Sequence, residues 1–145
     1  MKWEKDLHKT RVFLKELAQE MGIGEDTERA DRVLRAVLAV LRRRVSPQEF
    51  LDFIAQLPLC IKAEAVNGWD IDKFPDKSIK KLDDFIQAVI EEDKRLAHHD
   101  LGDAEQTKEL VRKLFGYLKK HISEGEIKDL AAELPEEIKE FVLQA

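Results

Sequence analysis

The chain has 145 residues, 43% of them hydrophobic and 38% charged, with one cysteine and a formal net charge of −5. A single cysteine excludes an internal disulfide and a cysteine-built zinc site, and no run approaches the ~18 apolar residues of a membrane span. The acidic balance disfavours indiscriminate binding to nucleic acid or anionic lipid, and the start MKWEKDLHKTR lacks the apolar run of a signal peptide, so a cytoplasmic protein without a cofactor is expected.

In chain order, Val12, Phe13, Leu17 and Ala18 recur at helical spacing over residues 9–19, and Gly22 and Gly24 end that helix. Asp26 or Thr27 caps the next, which carries a stripe at Ala30, Val33, Leu34, Val37, Leu38 and Leu41, the strongest amphipathic pattern in the chain. Arg42, Arg43 and Arg44 fall in its last turn, where cations suit the negative end of the helix dipole. Ser46, Pro47 and Glu49 read as a capping box, with Glu49 returning to the free Ser46 amide. The helix through Phe50, Phe53 and Ile54 ends at Leu57, because Pro58 disfavours the helical conformation before it and lacks an amide hydrogen. A short helix follows to Val66 and stops at Asn67-Gly68. Its composition (Leu59, Cys60, Ile61, Ala63, Ala65, Val66) is apolar nearly all round, which predicts burial on every side.

The same order returns. Residues 79–96 carry Leu82, Phe85, Ile86, Val89 and Ile90 on one side, a loop is expected over 97–103, and Asp103 caps a helix with Leu110, Val111, Leu114, Phe115 and Leu118. Ser123 and Glu126 form a second capping box, Leu134-Pro135 a second corner, and Ile138, Phe141 and Val142 one face of a last helix. SPQEFLDFIAQLPLCIK, from Ser46, and SEGEIKDLAAELPEEIK, from Ser123, lie 77 positions apart and agree at eight of seventeen positions. That agreement predicts an internal duplication: an all-α bundle of about eight helices in two homologous four-helix repeats, residues 1–68 and 78–145, joined by a linker over 69–77. Leu57, Pro58, Leu134 and Pro135 are its expected structural corners.

The segment ERADRVLRAVLAVLRRRVSPQEFLDFIAQLP, followed by NGWD, and the weaker DLAAELPEEIK resemble the family called domain of unknown function 2267, here in two tandem copies. The resemblance covers essentially the whole chain and implies an all-helical fold. It brings no assigned activity and no catalytic or binding residue.

The nearest thing to a metal cluster is His98-His99-Asp100. Zinc sites need three or four converging ligands, and adjacent histidines point apart, so a polar helix end is the plainer reading. Helix 28–44 with its arginines is the nucleic-acid candidate, although the dipole already accounts for Arg42 to Arg44, and Lys119 and Lys120 sit at the matching place in the second copy. Cys60 reads as a buried, inert thiol. Trp69 reads first as a lid over apolar surface and second as an interface anchor, which makes Trp69, Arg42 and Arg43 the candidate partner surface. No Gly-rich phosphate loop or metalloprotease motif occurs. The sequence therefore favours a non-enzymatic interaction or regulatory module with a protein partner, a second copy of the chain included. A metal-dependent protein using His98 and His99, and a nucleic-acid binder, are the alternatives.

Overall fold

Asp26 accepts a hydrogen bond from the Arg29 amide and starts the helix about which the others are arranged. The computed structural model describes residues 3–145. Among these the α-helices are α1 (Trp3–Glu20), α2 (Thr27–Arg44), α3 (Pro47–Ile54), α4 (Leu59–Val66), α5 (Leu82–Asp93), α6 (Ala97–Leu101), α7 (Ala104–Leu118), α8 (Glu124–Ala132) and α9 (Glu136–Gln144), and the described residues form no strand. The all-α expectation holds. No helix among the described residues is long and apolar enough to cross a membrane.

The central position belongs to α2, which touches α1, α3, α4, α5, α6 and α7. Its stripe is wider than a surface helix needs: Ala36 and Val40 are buried along with the six periodic positions. Burying each of its valines and leucines contributes about 1.5–3 kcal/mol. Phe50 and Phe53 of α3, Phe85 of α5 and Phe115 of α7 join the same continuous core.

Three local expectations are corrected. The 97–103 loop is instead a 3-10 turn (Lys94–Leu96) followed by α6, which buries Ala97, Asp100 and Leu101. Gly102, at φ 71°, leaves room that a β-carbon would take from the Gln106 side chain. Gln106 uses that room to accept the Asp103 amide at 2.8 Å, while Asp103 accepts the Gln106 amide at 2.8 Å. The complete capping box thus lies at α7.

At α3 and α8 the boxes are only half made. Ser46 and Ser123 each accept the amide three residues on, but Glu49 and Glu126 do not return. The Ser46 amide donates to Glu133 at 2.7 Å, and the Ser123 amide to Gln56 at 2.8 Å. Each amide finds its acceptor on the opposite corner, because α3 and α8 pack against each other.

The third correction concerns α4. Only Ile61 and Ala65 are buried; Leu59 is 50% and Val66 39% exposed, Ala63 is exposed, and Cys60 is partly exposed. An eight-residue helix lying against α1 and α2 covers one line of positions, whatever its composition. A thiol reagent should therefore label Cys60 in plain buffer at a rate independent of added denaturant below the unfolding transition. Labelling that tracks global unfolding would return Cys60 to the interior.

Candidate functional site

The arginines at the end of α2 do not serve the α2 dipole alone. Arg42 donates to the carbonyls of Ala65, Asn67 and Gly68 at 3.0, 2.7 and 3.1 Å, so it closes the carboxyl end of α4. Burial pulls its pKa below the usual guanidinium value. Arg43 bridges Asp76 at 2.9 Å and Glu92 at 3.1 Å, and Arg44 donates to the Ile79 carbonyl at 3.0 Å. The three side chains tie α2 to α4, to the 69–77 segment and to α5. They are engaged within the chain rather than presented together as a basic patch.

From Arg42 back to Arg32, α2 borders a cleft of about 460 Å³ lined also by Arg35, Glu64, Asp93 and Lys94 among others. Arg32 grips Asp100 of α6 with two parallel bonds, 2.8 and 3.0 Å long, and the Asp100 side chain is wholly buried. Burial pushes the Asp100 carboxyl up, but the bonds from Arg32 and a proton shared with Asp93 outweigh it and hold Asp100 below the usual aspartate range. Asp93 goes the other way, to about 7, through burial, then its bond to Asp100 and the Asp100 charge. Glu64 of α4 is likewise pushed to about 7 by burial and by Asp31 of α2, with Arg35 lying 3.3 Å from Glu64 and 3.4 Å from Asp31. Two carboxyl pairs thus straddle α2, each held by one arginine. The sequence reading missed them, since their partners are distant in the chain.

His98 and His99 sit on α6 with exposed side chains and border an open cavity of about 530 Å³ with Arg29 and Glu109. Asp100, expected beside them, turns inward to Arg32 and does not join them. His121, partly exposed, packs against Phe13 and Tyr117 with ring centres 4.9 and 4.8 Å away. Trp69 lies edge-on against Phe50 with ring centres 5.2 Å apart. Among the described residues, Glu49, Asp52 and Glu126 bring one oxygen each within 4.8 Å of the others; three oxygens fall short of the six to eight that calcium takes.

The remaining feature is apolar. Leu59, Ala63 and Val66 form an exposed i, i+4, i+7 line on α4. Beside it, a groove of about 630 Å³ runs between α1 and the start of α4, lined by Lys9, Val12, Phe13, Leu57, Leu59 and Lys62 among others.

A family model described as "Uncharacterized conserved protein (DUF2267)" matches residues 10–141. No curated protein matches the chain.

Proposed function

The chain belongs to the DUF2267 family of uncharacterised conserved proteins, and from that premise we propose that it is a non-enzymatic interaction module, working in the cytoplasm, whose partner contact is the outer face of α4. The observation that carries this is the exposed line Leu59, Ala63, Val66. At the offset of 77 the corresponding positions of α9 are Glu136, Glu140 and Leu143, two of the three charged, as a solvated helix face requires. An apolar line at this spacing is what one helix offers another in helix-in-groove recognition. The adjoining groove carries Lys9 and Lys62 beside Asp6 and Glu16, so the partner is an amphipathic helix recognised through its apolar stripe rather than through one sign of charge. The metal and nucleic-acid alternatives have less behind them: His98 and His99 stand without Asp100, and Arg42 to Arg44 are already bonded inside the chain.

The two halves are proposed to be tandem copies, residues 1–68 and 78–145 around the 69–77 segment. The support is reciprocal: Ser46 bonds Glu133 and Ser123 bonds Gln56, and both residues of one bond match both residues of the other at the offset of 77. Such paired exchange is the mark of a two-fold relation between like units. Pro58 and Pro135 share one backbone geometry, φ/ψ −54°/148° and −55°/149°.

Ala63→Arg tests the contact. Arginine suits an exposed helix position, so the fold stays intact while the apolar line is interrupted. Capture from a native lysate on immobilised wild-type and A63R protein should retain the same partner at least about tenfold less well on the variant. Equal capture would overturn the reading. Light scattering across a concentration series covers the homodimer: a dimer abolished by A63R would make a second copy the occupant and remove the separate helical partner.

A further inference from the structure

The carboxyl ends of α4 and α9 are closed by the same device. Arg42 donates to the carbonyls of Ala65, Asn67 and Gly68, and Lys119 donates to those of Leu143 and Ala145 at 2.8 and 2.9 Å. At the offset of 77, Lys119 answers Arg42 and Ala145 answers Gly68. In the first half the chain turns at Gly68, with φ 67°, and lays Trp69 against Phe50 of α3. Among the described residues none answers Trp69 in the second half. A groove of about 520 Å³ lies there, lined by Lys119, Ile122, Glu124, Ile127, Lys128 and Leu143. At the same offset these match Arg42, Val45, Pro47, Phe50, Leu51 and Val66, so Ile127 stands where Phe50 meets the Trp69 ring.

We infer that this groove, between the end of α7, the start of α8 and the end of α9, docks a tryptophan side chain of a partner polypeptide, which lies on Ile127 as Trp69 lies on Phe50.

The first half of the molecule supplies the occupant. Ile122 and Ile127 belong to the continuous core, and Leu143 beside them is 40% exposed. A large flat ring gains most from such a floor, and buried tryptophans are where binding energy concentrates at interfaces. Charge does not select the ligand: Lys128 pairs with Glu124 at 3.1 Å, and the Lys119 ammonium is turned to the two carbonyls. The lysine stems add apolar wall while their charged ends stay outside. The ring comes on a polypeptide because Trp69 is held through its backbone as well. Its amide donates to the Val66 carbonyl at 3.2 Å, and the following turn, residues 71–73, touches α2. The site lies on the other half from the α4 line, and it rests on the tandem-copy reading only for the matching of positions.

The probe is the chain's own segment NGWDIDK, residues 67–73, as an acetylated and amidated peptide added to the full, methyl-labelled protein. Methyl resonances of Ile122, Ile127 and Leu143 should shift, while those of Val45 and Leu51 stay still. Replacing the tryptophan of the peptide by alanine should weaken binding at least about tenfold. Leu143→Arg, at an exposed helix position that accepts arginine, should do the same. Silent methyls in the groove of the unmodified chain would overturn the proposal, and so would an alanine peptide or an L143R protein that binds as well as the original. N-acetyltryptophanamide should bind at least about tenfold more weakly than the peptide. Equal binding would make a free aromatic molecule the occupant and overturn the polypeptide source. Trp69→Ala checks the matching of the halves separately, since it should open a second site seen at Val45 and Leu51. Binding at Ile127 in wild type with no second site in W69A would keep the groove and remove the tandem correspondence.

Discussion

Arg32→Leu should destabilise the protein by about 3–5 kcal/mol at neutral pH, the range expected when one partner of a buried ion pair is removed and the other stays charged. Asp100 has no solvent exposure on its side chain, whereas Arg32 keeps 23% of its own, so the two partners are not equivalent. Removing Arg32 strands a buried carboxylate next to Asp93. Removing Asp100 leaves a guanidinium that can turn to water, and Asp100→Leu alone should cost less. The double variant R32L/D100L should recover most of the loss, because replacing both members of such a pair by apolar groups is close to neutral. The pH dependence follows from Asp100 being held low by Arg32. Its contribution is present above the unfolded aspartate value of 3.8 and is lost as pH falls below it, so the wild-type and R32L curves should converge in acid. Urea denaturation of the four proteins at pH 7 and well below pH 3.8 measures the whole cycle. A loss below about 1 kcal/mol for R32L at pH 7 would mean that the pair behaves as a surface ion pair.

Leu57→Ala and Leu134→Ala should each cost about 2–5 kcal/mol, combining lost transfer energy with a cavity. Leu57 is 3% and Leu134 6% exposed. Each amide closes the last turn before a proline, to Ile54 and Ala131 respectively, both at 3.0 Å. Each side chain thus sits where one helix stops and the next leaves in a new direction, and truncation there removes packing that both helices share. Because α3 and α8 touch, the two losses are expected to couple, and the double variant should depart from the sum of the singles. Losses under about 1 kcal/mol at both positions would show that the prolines alone make the corners.

The features legible in the sequence are those whose causes lie within four residues. The α2 stripe, the Asp26, Ser46, Asp103 and Ser123 caps and the stops before Pro58 and Pro135 follow from side-chain period, cap chemistry and the missing proline amide. The start of α1 at Trp3, ahead of residue 9, was not legible, because its first turns are almost entirely exposed and carry no apolar period. Composition misled at α4, since an apolar helix becomes buried only where neighbours exist to cover it. At 98–100 the reading of a polar helix end fits the two histidines but not the aspartate: nothing near Asp100 in the chain announces Arg32, 68 residues away.

By itself the sequence determined the all-helical class, most helix boundaries and the similarity of the two quoted segments, because turns, caps and hydrophobic period are local properties of the chain. Only the tertiary structure decided where the polar groups found their partners. Arg42 to Arg44 look like dipole complements and become ties to α4, Asp76, Ile79 and Glu92. Glu49 and Glu126 look like box closers but leave the serine amides to Glu133 and Gln56. The physical reason is that a helix terminus or a buried carboxyl must be satisfied by whatever polar group packing brings within about 3 Å, and sequence spacing does not set that distance.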